Sequence, residues 1–190
     1  MKKATKALEK KLQKHDSGLS SVTTLRANAR HRIEQGAVTA GYEADRDQVV
    51  KMLNDALATE IVCMLRYKRH AFMVSGIHAE TVAAEFSAHA AEEVAHADLL
   101  AARIVQLGGE PDFSPDTLSA RSHAEYIEGK SLSDMVKENL IAERIAIESY
   151  KEMIAVIGNN DTTTRRMLES IQAVEEEHAD DLACLLDANR

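Results

Sequence analysis

Residues 93–100 read EVAHADLL, and residues 175–182 read EEEHADDL. Each puts a histidine three positions after a glutamate: Glu93 then His96, Glu175 then His178. Residues three apart lie on one face of a helix, so both side chains of each pair can reach one point. Two further stretches belong with these. EIVCMLRY (60–67) begins at Glu60 and ends at Tyr67, and AERIAIESY (142–150) carries Glu143 and Tyr150 seven residues later. Glu60 precedes Glu93 by 33 residues, and Glu143 precedes Glu175 by 32. The second half of the chain thus repeats the first at an offset of 82 to 83 residues.

Alternating steps of three and four extend each motif into one helical stripe. The first stripe is Leu53, Leu57, Glu60, Met64, Tyr67, Ala71. The second is Val82, Phe86, His89, Glu93, His96, Leu100. The third is Val136, Leu140, Glu143, Ile147, Tyr150, Ile154, Ile157. The fourth is Leu168, Ile171, Glu175, His178, Leu182, Leu185. Each is otherwise apolar and is interrupted near its middle by glutamate or by Glu-x-x-His. The periodicity predicts four long helices, over about 45–74, 78–107, 131–157 and 162–187. Ser75-Gly76 and Gly158-Asn159-Asn160 make short turns, and Gly108-Gly109 stops the second helix. Residues 110–130, with Pro111, Pro115 and Gly129, form a long connection. Two short-looped hairpins joined by one long crossover predict an all-α, antiparallel four-helix bundle.

The rest of the composition agrees. The chain has 190 residues, 45% hydrophobic and 28% charged, with two prolines and no tryptophan. Two cysteines make no disulfide framework. Their expected depths on parallel helices differ by more than a bridge tolerates, so Cys63 and Cys184 read as free thiols. No apolar run reaches the length of a membrane span, and residues 1–15 have no apolar centre of a secretory signal. The expected location is the cytoplasm. Charge is uneven: residues 1–32 carry a net +7 and the remainder −15. Residues 1–42 read as a basic arm and 43–190 as the bundle. Within the arm, 2–14 and 20–35 are candidate helices. Lys2, Lys3, Lys6, Lys10, Lys11 and Lys14 suit phosphate contact with DNA without sequence preference; the alternative is a solvated tail.

Four carboxylates on core stripes need compensation, because burying an unpaired carboxylate costs several kcal/mol or forces its protonation. No Lys or Arg falls on the stripes. Divalent cations are the economical partner: two carry the charge that balances four carboxylates, and two neutral imidazoles complete the set. Oxygen and nitrogen donors without thiolate suit Fe, Mn or, less usefully, Zn. His89, one turn before Glu93, reads as a hydrogen-bonded neighbour or an extra ligand. Tyr67 and Tyr150 read as ligand-orienting groups, electron donors or plain core aromatics. Glu92, Glu176 and Glu177 read as surface or cavity charges.

These motifs resemble the ferritin-like di-iron carboxylate proteins, bacterioferritin most of all, over about residues 45–188. The resemblance implies that Glu60 and His96 hold one iron, Glu143 and His178 the other, and that Glu93 and Glu175 bridge them. It implies a ferroxidase that oxidises Fe²⁺ with O₂ or H₂O₂ at two irons per subunit and stores ferric mineral in a homo-oligomeric shell. Two departures stand out. Bacterioferritin's haem-ligating Met, directly after the first bridging Glu, is here Val94, so no haem is expected. Only twelve residues follow His178, without the family's fifth helix, which favours a shell of twelve subunits, as in Dps-like ferritins, over twenty-four. The alternatives are a DNA-binding, Dps-like protection protein and a di-metal oxygenase or peroxidase without storage.

Overall fold

The computed structural model describes residues 18–76 and 79–188. The candidate helix over 2–14 and the six lysines of the arm lie outside them. The chain divides into two units after Gly41.

In the first unit, helix α1 spans Val22–Asn28, and the Ser21 hydroxyl caps it by accepting from the Thr24 N–H at 3.2 Å. A 3₁₀ turn follows at Ile33–Gln35. The helix expected across 20–35 is therefore broken, with Arg32 in the left-handed region at φ 52°. Neither piece buries a residue. An isolated helix this short gains too little from its own hydrogen bonds to extend.

The second unit is the bundle. Its long helices are α2 (Arg46–Met73), α3 (Ala79–Gln106), α5 (Leu132–Ile157) and α6 (Thr162–Ala188), with a single turn, α4 (Leu118–Arg121), in the connection. Each long helix is about 40 Å. Among the described residues there is no strand. Asp45 caps α2 by accepting from the Gln48 N–H at 3.2 Å. Ser131 and Asp134 form a reciprocal capping box on α5, which satisfies two otherwise orphaned donors. Gly158 ends α5 at φ 53°, where a side chain would be strained. Gly109 has a different reason: a Cβ there would stand 2.6 Å from Val50 Cγ1.

The two hairpins, α2–α3 and α5–α6, face each other with the stripes inward. Leu53, Leu57, Phe86, Leu100, Val136, Ile157, Leu168, Ile171 and Leu182 are buried. The crossover runs the length of α2. Asn54 Nδ2 donates to Glu110 O, Thr59 Oγ1 accepts from the His123 N–H, and His70 Nε2 meets Glu128 O. This cover buries a second side of α2, where Ala58 and Val62 pack against Leu118 and Cys63 packs against Ala124.

At the end of the bundle opposite Phe72, Arg103 on α3 donates to both oxygens of buried Asp161 at 2.9 Å and to Thr164 Oγ1 at 2.8 Å. Tyr42 donates to the same carboxylate at 3.0 Å. Burial alone would raise the Asp161 pKa, but its bonds from Thr164 and Arg103 hold it below the usual carboxylate range.

Candidate metal centre

The four stripe glutamates and two histidines meet at mid-bundle, all buried. α2 supplies Glu60, α3 supplies Glu93 and His96, α5 supplies Glu143, and α6 supplies Glu175 and His178. Their donor atoms fall into two sets, each within 4.8 Å: Glu60, Glu93, His96 and Glu175, and Glu93, Glu143, Glu175 and His178. Glu93 and Glu175 belong to both sets; the others belong to one. His96 Nδ1 lies 2.8 Å from Glu175 Oε1 and 3.3 Å from Glu60 Oε2. His178 Nδ1 lies 3.3 Å from Glu175 Oε2 and 3.8 Å from Glu93 Oε1.

Short distances here do not mean satisfied groups. Glu60 Oε2, Glu93 Oε1, His96 Nδ1, Glu143 Oε2, both Glu175 oxygens and His178 Nδ1 are buried without a properly aligned hydrogen-bond partner. Each such atom costs on the order of 1–3 kcal/mol. All six residues contribute, and all the orphaned atoms face one small volume. Carboxylate oxygen and imidazole nitrogen are what divalent first-row metal ions take, so the donor set fits a pair of them.

Protonation answers the same demand in the metal-free protein. Burial, then the charge of Glu175, pushes the Glu93 and Glu143 pKa values well above the ordinary range. Burial acts against charging His96, but Glu175 and Glu60 outweigh it and push its pKa up to about 10. Glu175, despite burial, is held down to about 2 by His178 and His96. Glu175 thus stays ionised beside Glu93, Glu143 and His96, whose pKa values all rise.

The tyrosines tie the hairpins together reciprocally. Tyr67 on α2 donates to Glu143 Oε1 on α5, and Tyr150 on α5 donates to Glu60 Oε1 on α2. Each leaves the other oxygen of its glutamate free to face the centre. Burial and the adjacent carboxylates raise both phenol pKa values well above the usual 10, so both stay protonated donors. His89 Nδ1 lies 3.2 Å from the Tyr67 hydroxyl, and its ring stacks on His178 at 4.0 Å. Burial, then the neighbouring His178, lowers its pKa to about 4.

Two participants are invisible in the periodicity. Glu92, read from the sequence as a surface or cavity charge, accepts from His178 Nε2 at 2.6 Å. That bond puts the proton on Nε2 and turns the Nδ1 lone pair inward, as an outer partner of a metal-bound histidine does. Its signal is only adjacency to Glu93. Glu176 and Glu177 stay exposed. Arg66 is the other, a buried cation although the stripes themselves carry no Lys or Arg. It lies off the stripe, yet it is 1% exposed and donates to Asn139 Oδ1, Glu125 O and Cys63 Sγ. The crossover that buries it could not be read from helix spacing. Cys63 and Cys184 are free, one buried and one exposed. Val94 is exposed on α3.

A family model, the ferritin-like domain, matches residues 50–190. The bacterioferritin of Desulfovibrio desulfuricans is 28% identical over 142 residues, 74% of each chain. A solved structure of the bacterioferritin-related protein of Bacteroides fragilis, described as a dodecameric thioferritin, is 32% identical. It covers 77% of this chain and 88% of that one at a TM-score of 0.74. A ferritin-like, diiron-carboxylate protein of Bacillus anthracis is 27% identical, covering 75% and 97% at a TM-score of 0.67.

Proposed function

Because the chain belongs to the ferritin-like domain family, we propose that it is a ferroxidase whose substrate, Fe²⁺, is oxidised in pairs at this centre and stored as ferric mineral. The observation that carries the reading is the cluster of orphaned donor atoms on six buried residues, divisible into two sets with Glu93 and Glu175 in common. Glu60 and His96 hold one Fe²⁺, Glu143 and His178 the other, and the two shared glutamates bridge them. Tyr150 and Tyr67 fix the terminal carboxylates from the opposite hairpin. Glu92 fixes the His178 ring. Two Fe²⁺ each give one electron. With O₂ and two protons the products are two Fe³⁺ and H₂O₂; with H₂O₂ and two protons they are two Fe³⁺ and two H₂O. The protons displaced from Glu93, Glu143 and His96 by metal stand at the site where reduced oxygen needs them. No haem takes part in this reading, since valine at position 94 offers no thioether.

Storage requires a closed shell, and several large apolar side chains are exposed and available for subunit contact. Phe72 is 88% exposed, and Leu65 and Met73 on the same helix are also exposed. Twelve subunits is the favoured number, by likeness to the dodecameric relative. Among the described residues no helix is long and apolar enough to cross a membrane, which accords with a cytoplasmic shell.

Stopped-flow oxidation of Fe²⁺ tests the reading. Glu93→Ala and Glu175→Ala should each reduce the fast phase at least about 100-fold, because transfer to one oxidant needs two joined irons. Cys184→Ser, at an exposed site away from the donors, should leave it unchanged. Wild-type rates in both bridge variants would refute the assignment.

A further inference from the structure

Among the described residues, one other group of donors converges outside the dinuclear centre: Glu85 and His89, one turn apart on α3, and Asp181 on α6. We propose that Glu85, His89 and Asp181 form a separate mononuclear site for a divalent first-row transition-metal ion. It shares no residue with the dinuclear centre.

The argument starts from one proton. The Tyr67 hydroxyl hydrogen goes to Glu143, so the Tyr67 oxygen is left to accept at its contact with His89 Nδ1, 3.2 Å away. That places the His89 proton on Nδ1 and leaves a lone pair on Nε2. The His89 side chain is 3% exposed, and Nε2 has no hydrogen-bond partner. What it faces is two carboxylates, Glu85 Oε1 at 3.4 Å and Asp181 Oδ2 at 3.8 Å. Three electron-pair donors therefore confront one another with no hydrogen between them. A cation turns that repulsion into ligation.

The spacing suits one ion. Bonds of about 2.0–2.2 Å separate neighbouring donors by roughly 3–3.5 Å, and Asp181, with a side chain 58% exposed, is free to close the remaining gap. The ligand charge of −2 balances a divalent ion. The imidazole nitrogen selects Fe, Co, Ni, Cu or Zn over Ca and Mg. Solvent reaches the site through Asp181 and Glu85, so water completes the coordination and the ion exchanges readily. The stacking of His89 on His178 sets this site one side chain outside the dinuclear centre.

Equilibrium dialysis of the metal-free full-length protein against Co²⁺ at neutral pH tests the proposal. The wild type should bind one more Co²⁺ per chain than the Glu85→Gln/Asp181→Asn double variant. Neither replaced side chain is buried, so the helices should keep their circular dichroism. The difference between the two chains reads this site alone, whatever the occupancy of the dinuclear centre. A second variant, Asp181→Asn, should weaken the extra site at least about tenfold while retaining its other two ligands. Excess Ca²⁺ should not displace the extra ion. Equal Co²⁺ counts in wild type and double variant, or displacement by Ca²⁺, would overturn the proposal.

Discussion

Glu93, Glu143 and His96 hold protons that a bound cation must expel. Burial and Glu175 raise the two carboxyl pKa values, and Glu175 and Glu60 carry His96 to about 10. Folded-state values above the ordinary ones mean that these groups keep their protons in the metal-free core to higher pH than free side chains do. Metal uptake should therefore release protons, and affinity should rise with pH by up to about tenfold per unit for each proton displaced. Calorimetry of Co²⁺ binding in two buffers of different ionisation enthalpy measures that release; a buffer-independent heat would contradict it. The six ligand candidates were legible because each breaks an apolar stripe at the same depth. Glu92 and Arg66 were not. One is marked only by standing next to Glu93, and the other is buried by the crossover, whose course leaves no period in the sequence.

Helix boundaries followed the sequence closely, since glycine turns and caps are local signals: α5, expected over 131–157, spans Leu132–Ile157. The short helix Leu118–Arg121 had no such signal. Its one buried residue, Leu118, packs on α2, so tertiary contact stabilises it. The third stripe also differs in detail. Asn139, Ala146 and Met153 are buried, while Leu140, Ile147 and Ile154 are only partly so. At the bundle end, Arg103 supports the α5–α6 turn through Asp161. Arg103→Ala takes the guanidinium from that buried carboxylate, which keeps its bonds from Thr164 and Tyr42, and should cost about 1–3 kcal/mol in urea unfolding. The pH dependence has a definite sign. Asp161 lies below its ordinary pKa in the folded chain, so its contribution is complete above the unfolded value near 3.9. It is lost as pH falls through the folded value. The variant should lose that part of the acid transition; an unchanged profile would show that the network contributes nothing.

At the scale of the molecule, metal and assembly are the levers. Ions that bind only the folded core stabilise it by about 2.7 kcal/mol at a hundredfold excess over Kd. Zn²⁺ loading should therefore raise Tm, and chelation should reverse it. Light scattering should give close to twelve times the 20.9 kDa chain mass; a monomer or dimer at micromolar concentration would exclude the shell. The net +7 of residues 1–32 leads to a separate expectation. A shell displaying many arms should retard duplex DNA at low salt, with affinity falling steeply as salt rises and lost on deleting those residues. Failure of the intact particle to shift DNA at low salt would give the arm another role.

The central claim is that six residues of one chain hold a joined pair of metal ions. Anomalous diffraction at the iron edge, on crystals loaded anaerobically with Fe²⁺, tests it most directly. Two peaks about 3.5–4 Å apart should lie among Glu60, Glu93, His96, Glu143, Glu175 and His178, with Glu93 and Glu175 between them. A single peak there, or iron held between neighbouring subunits with this cluster empty, would contradict the account.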